Sequence, residues 1–166
     1  MNHQSKSVRR LLALAAGCLS SVAFAGGNHA GGHGLSHGDD DTPIGKPGTA
    51  SKVTRTITVE MSDAMRYAPS DIQIKKGETV RFVVKNLGQV KHELSLGTEK
   101  ELLEHLEVMK KFPDMEHDEP SKLSLAAGKQ GEIIWQFTEA GMVNFACLMP
   151  GHYEAGMKGT VKVSKK

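Results

Sequence analysis

The side chains with the most chemistry to offer lie close together, in Asn144-Phe145-Ala146-Cys147-Leu148-Met149-Pro150-Gly151-His152-Tyr153-Glu154-Ala155-Gly156-Met157. A thiol, an imidazole and a thioether recur there at an even five-residue step, as Cys147, His152 and Met157. Pro150, Gly151 and Gly156 stand between them, so the stretch is expected to be a folded-back loop rather than a helix or strand. Such a loop can turn all three side chains toward one point, and a thiolate, an imidazole and a weak thioether suit copper better than any other common metal. A second imidazole is needed to complete the set. His92 is available upstream beside an apolar run, in Val90-Lys91-His92-Glu93-Leu94, where a strand end can present it.

Together His92, Cys147, His152 and Met157 resemble the type 1 copper site of the cupredoxins, with four ligand types in that family's order. The C-x4-H-x4-M spacing is similar to that of the auracyanin and rusticyanin branches and has a longer Cys-to-His gap than plastocyanin. The resemblance implies that His92, Cys147 and His152 form a trigonal plane and that Met157 is the weak axial ligand. It covers residues 53 to 166 and implies a Greek-key β-sandwich. One position departs from the pattern. Many cupredoxins carry Asn or Ser directly after the first histidine, whereas this chain has Glu93, which bears on the hydrogen bond to the thiolate and so on colour and potential.

The chain has 166 residues, enough for one domain with extensions. Residues 1–25 read as a signal peptide. Lys6, Arg9 and Arg10 precede the apolar run Leu11 to Val22, and Ala23-Phe24-Ala25 has the small-x-small form of a cleavage site. The run is too short to span a membrane stably, so export is expected, most simply to a bacterial periplasm, with no membrane span in the mature chain. Removing Lys6, Arg9 and Arg10 without any acid takes the formal net charge from +2 to −1. Nothing in that balance suggests a nucleic-acid partner. Cleavage also removes Cys18, leaving Cys147 as the single cysteine, so no internal disulfide can form. In an oxidising compartment an unpaired thiol is exposed to oxidation unless a metal holds it. A free thiol with a pKa of about 8.5 is mostly protonated at neutral pH, so copper must displace a proton to bind.

Residues 26–52 hold almost nothing apolar and are expected to be a disordered His/Gly/Asp-rich leader. Its histidines His29, His33 and His37 recur every four residues, with three aspartates following. The segment is either a flexible scavenger of Cu(II) or another divalent ion, or a solubilising linker whose histidines are incidental. From residue 53 the pattern has a period of two. Seven runs of β-forming residues are separated by turn formers, which predicts a β-sandwich of seven or eight short strands. Trp135 falls in an alternating run and is expected in the core.

One segment breaks the β rhythm. Thr98-Glu99-Lys100-Glu101 has the capping-box form, and Leu102, Leu106 and Met109 follow at helical spacing until Pro113, predicting one short helical insertion. His105 and Met109 are four apart and can share a face, with Met115 and His117 just beyond. These four are either an additional copper site or a core methionine with surface neighbours, and packing is the default for a methionine on an apolar stripe. Met61 and Met65, flanking Asp63, are either a soft thioether pair for Cu(I) or a cap on the core near the copper loop.

Two functions fit these features. One is a periplasmic copper protein for copper tolerance or handling, with Cu(II)/Cu(I) redox activity, favoured by the His-rich leader and the surplus of methionine and histidine. The other is a dedicated one-electron carrier between periplasmic redox partners. Within the family the chain most resembles the small periplasmic cupredoxins of copper tolerance. The expectation is a binding and electron-transfer protein rather than an enzyme, with oxidation of Cu(I) left open. A Cys147–His152 nucleophile pair fits poorly with so short a β loop and with Met157 beside it. The chain is too short for a multicopper oxidase or copper nitrite reductase.

Overall fold

Alternation along the strands builds two faces that must each be covered, and the chain solves this with two sheets packed on one core. The computed structural model describes residues 42–113, 115 and 119–165. Among these residues ten strands and one α-helix, with a 3-10 turn at Ala50–Lys52 after the first strand, occur in the order β1 (Lys46–Pro47), β2 (Arg55–Ser62), β3 (Arg66–Ala68), β4 (Asp71–Lys75), β5 (Thr79–Asn86), β6 (His92–Gly97), α1 (Glu99–Lys111), β7 (Lys122–Leu125), β8 (Gln130–Gln136), β9 (Gly141–Ala146) and β10 (Lys158–Ser164). One sheet runs β1-β8-β5-β2-β3 and the other β4-β10-β9-β6-β7. The pairs β2–β5 and β4–β10 are parallel and the rest antiparallel. The architecture is the expected β-sandwich with a single helical insertion.

Inward residues follow the period of two: Val80, Phe82 and Val84 from β5, Ile133 and Trp135 from β8, Val143 and Phe145 from β9, Val161 and Val163 from β10. Fully burying one such aliphatic or phenyl side chain contributes about 1.5–3 kcal/mol. Phe82 meets Phe137 edge to face at 6.2 Å, and Tyr67 meets Phe145 likewise at 5.0 Å. Trp135 is buried, as its place in the alternation implies, and its indole N–H donates to the Ile44 carbonyl at 2.7 Å.

Two expectations are corrected. Residues 42–52, expected to belong to the disordered leader, include ordered positions, while 26–41 lie outside the described residues. Ile44 packs into the core and Lys46–Pro47 pairs with Gln136 and Trp135 of β8. Composition misses this because a single isoleucine carries the burial and because a proline is acceptable on an edge strand. The strand count is also higher, since β1, β3 and β7 have two, three and four residues and are too short to show a period.

The helix forms where its cap places it. Thr98 Oγ1 accepts from the Glu101 N–H at 3.2 Å while the Glu101 carboxylate accepts from the Thr98 N–H at 2.8 Å. Leu102, Leu106 and Met109 form its buried stripe and meet Ala146, Leu148 and the partly buried Tyr153 in a second apolar cluster. Residues 146–148 therefore stand between two packed regions, with Ala146 and Leu148 facing the helix and Cys147 facing the main core.

Candidate metal centre

The centre lies where the β5–β6 connection meets the β9–β10 loop. His92 is the first residue of β6 and pairs with Leu125 of β7. Its approach is set by Asn86, a wholly buried amide that donates to the Val90 carbonyl at 2.7 Å and the Leu125 carbonyl at 3.0 Å and accepts from the Gly88 N–H at 2.9 Å. Cys147 directly follows β9. The loop beyond it closes at its neck, where the Cys147 N–H donates to the Met157 carbonyl at 3.1 Å, and its interior turns use Met157 N–H to His152 carbonyl and His152 N–H to Met149 carbonyl, both 3.0 Å. Gly151 and Gly156 sit at φ +84° and +101°, the left-handed region that glycine enters without strain. A side chain at 156 would also meet the Arg66 guanidinium, which donates to the Ala155 carbonyl at 2.8 Å and so ties the loop to β3.

This backbone brings three donors together. The Nδ1 atoms of His92 and His152 are 3.2 Å apart, and Cys147 Sγ lies 3.2 Å from His152 Nδ1. All three donor atoms fall within 4.8 Å of one another, and among the described residues no other group of three His, Cys or acidic side chains does so. Nitrogen and sulfur ligands at roughly 2.0–2.3 Å from one first-row ion lie about that close together, so the donor set fits a single ion. Met157 is fully buried in the same core cluster as Cys147. His92 and Cys147 are equally enclosed, whereas His152 is only partly buried.

Burial governs the protons here. It pushes the Cys147 thiol from 9.0 up to about 11, against the opposing pull of the Met149 and Glu93 amides. Burial likewise lowers His152, with His92 adding to the effect. Both shifts favour the uncharged thiol and the uncharged His152 imidazole until something exchanges for the thiol proton. The departure at position 93 also resolves. The Glu93 main-chain N–H points at Cys147 Sγ at 3.4 Å, while its carboxylate accepts from Ser124 Oγ at 2.9 Å. The amide reaches the sulfur whatever the side chain. Tyr67, buried with its hydroxyl on the Glu93 carbonyl, holds that peptide in place, and burial raises its own pKa well above the usual value.

The remaining candidates are spread widely. Met61 is fully buried in the main core and Met65 packs partly buried against it. Met109 belongs to the helix cluster. His105 Nε2 faces Lys122 Nζ at 3.4 Å, and Met115 is exposed beyond the helix. His29, His33, His37 and His117, with the signal segment 1–25, lie outside the described residues.

Sequence reasoning missed three contacts around the centre. Asp63 Oδ1 lies 3.0 Å from His92 Nε2. Arg66 grips the ligand loop, and Lys110 of α1 reaches Glu154 in the same loop at 3.1 Å. These join residues tens of positions apart. The only sequence cue was a carboxylate set between Met61 and Met65.

The chain resembles known proteins in sequence and fold. The family model for copper binding proteins of the plastocyanin/azurin family matches residues 53–164. The chain is 50% identical over 145 residues to the copper-resistant cuproprotein CopI of Rubrivivax gelatinosus, spanning 87% of this chain and 88% of that protein. It is 36% identical over 121 residues to the protein of the same name in Vibrio cholerae, 72% of each chain. Among solved structures, auracyanin B superposes with a TM-score of 0.59 at 24% identity over 75% of this chain and 99% of its own, a likeness of fold.

Proposed function

Because the chain belongs to the plastocyanin/azurin family of copper-binding proteins, we propose that His92, Cys147 and His152 hold one copper ion, that Met157 is its weak axial donor, and that the protein serves copper resistance in the periplasm. The convergence of two Nδ1 atoms and one Sγ within 4.8 Å carries this reading. The names of the relatives support the resistance role. Bound there, copper supplies one-electron chemistry between Cu(II) and Cu(I). The protein's own part is to keep the donors in place. The loop neck, the Asn86 bonds and the Glu93 amide fix their positions, and burial of His92, Cys147 and Met157 excludes water. No enzymatic step is assigned to these residues.

No helix among the described residues is long and apolar enough to cross a membrane. The layout that accompanies this role is a signal peptide at 1–25, a copper-gathering leader bearing His29, His33 and His37, and a cupredoxin domain. The second reading, a one-electron carrier, draws on the partial exposure of His152, which gives an exchange partner one edge of the site; Leu87 and Val90, in the connection that leads to His92, are exposed as well.

A Cu(II) titration of the reduced protein, following visible absorption and bound copper together, tests the reading. An intense band that saturates at one equivalent is expected, with colourless binding beyond it, and Cys147→Ala should abolish the band. A Cys147→Ala protein that kept its colour would refute the ligand set. Saturation of both signals at one equivalent would favour the plain carrier.

A further inference from the structure

Asp63 belongs to the sheet opposite His92, in the turn between β2 and β3, yet its carboxylate is directed at the metal-facing histidine. We propose that Asp63 is a positioning residue of the copper centre, fixing the ring and tautomer of His92 and lending negative charge that favours the oxidised metal. This rests on His92 being a copper ligand.

Three observations carry it. First, an ionised carboxylate only accepts hydrogen bonds, so its 3.0 Å contact with His92 Nε2 puts the imidazole proton on Nε2. The Nδ1 lone pair then faces His152 Nδ1 at 3.2 Å, with Cys147 Sγ within 4.8 Å, and with the ring fully buried no water competes for either nitrogen. Second, Asp63 is itself aimed. Its Oδ2 accepts from the Gln89 N–H at 2.7 Å and its Oδ1 lies 3.5 Å from the Val90 nitrogen, so the side chain is anchored on the middle of the β5–β6 connection that delivers His92. Third, the chain leaves room for that reach. A Cβ at Gly88 would sit on Asp63 Oδ1 and 3.1 Å from His92 Nε2, so glycine at 88 is what lets carboxylate and imidazole meet. The turn itself is tight, closed by Met65 N–H to Ser62 carbonyl at 3.0 Å with Met65 held at φ 56°.

A carboxylate on the outer nitrogen of a ligating imidazole raises its donor strength, and such partners typically change metal affinity about 10–100-fold. The Asp63 side chain is 40% exposed, so solvent screens part of its charge and the low end of that range applies. The effect falls mainly on Cu(II), whose higher charge feels the carboxylate more.

The test uses Asp63→Asn, which keeps an oxygen acceptor but not the charge, Asp63→Ala, which removes the acceptor, and Gly88→Ala, which leaves Asp63 intact but displaces it. In the metal-free parent, imidazole nitrogen NMR should show the His92 proton on Nε2, and Asp63→Ala should return the ring to a mixture of tautomers. Once loaded, Asp63→Asn should keep its visible band and bind Cu(II) about tenfold more weakly with Cu(I) affinity unchanged, which raises the reduction potential by about 59 mV. Gly88→Ala should move the potential in the same direction. Unchanged Cu(II) affinity and potential in both folded variants, beside a parent with an intact band, would overturn this inference and leave the ligand set standing. A parent that shows no intense band at all would overturn the ligand set and this inference with it.

Discussion

At the residue scale, the four proposed ligands differ in what their loss should do. Met157 is buried among core residues and is only an axial donor in the proposed site, so Met157→Leu should leave copper bound and raise the reduction potential. Loss of all copper in that variant would make Met157 a principal ligand instead. Cys147 makes a pH prediction for the metal-free protein. Burial raises its pKa from 9.0 to about 11, so between those values the unfolded chain has released the thiol proton that the folded chain retains. Stability therefore falls as pH rises through that window and is fully present below it. Urea midpoints measured from pH 8 to 11 should show the decline, and Cys147→Ala should flatten it below pH 10, leaving above that the part due to Tyr67, whose pKa burial also raises. The sequence singles out His92, Cys147, His152 and Met157 because ligand chemistry restricts residue type so strongly, and the structure brings the donor atoms of the first three together. Asp63 was not legible there, because a surface aspartate has many commoner uses and its partner is brought near only by the packing of one sheet on the other.

At the scale of elements, α1 is more than an ornament on the sandwich. Its stripe of Leu102, Leu106 and Met109 backs Ala146 and Leu148, the neighbours of Cys147 on either side. Leu106→Ala should destabilise the protein by roughly 2–5 kcal/mol, because it removes a buried side chain from a packed cluster. It should also broaden the visible band of the loaded protein by loosening the residues that seat the thiolate. A melting curve and a spectrum check the two halves separately, and a large loss of stability with an unaltered band would mean the helix supports the fold alone. The Lys110–Glu154 pair is solvent-exposed and contributes little beside this packing. The helix was readable to within a residue or two because Thr98 and Glu101 form a capping box and Pro113 ends the run. The shortest strands were not, since pairing that rests on two or three residues is decided by the neighbouring strand rather than by any local pattern.

For the whole molecule, the boundary between leader and domain is a testable quantity. Deleting residues 26–41 should reduce total copper bound while leaving the visible band and the thermal midpoint in place. Extending the deletion to residue 51 should lower the midpoint as well, because it strips Ile44 from the core, removes β1 from the edge of its sheet and leaves the Trp135 indole N–H without its acceptor. Equal midpoints for the two deletions would return residues 42–52 to the leader. At the donor end of the sandwich, Asp63 and Arg66 from one sheet hold His92 and the ligand loop of the other. The sheets cannot slide past each other there without dragging the imidazole off its neighbours. In the loaded protein, colour thus doubles as a strain gauge, so a load applied to the outer face of either sheet, far from the metal, would register as a spectral change.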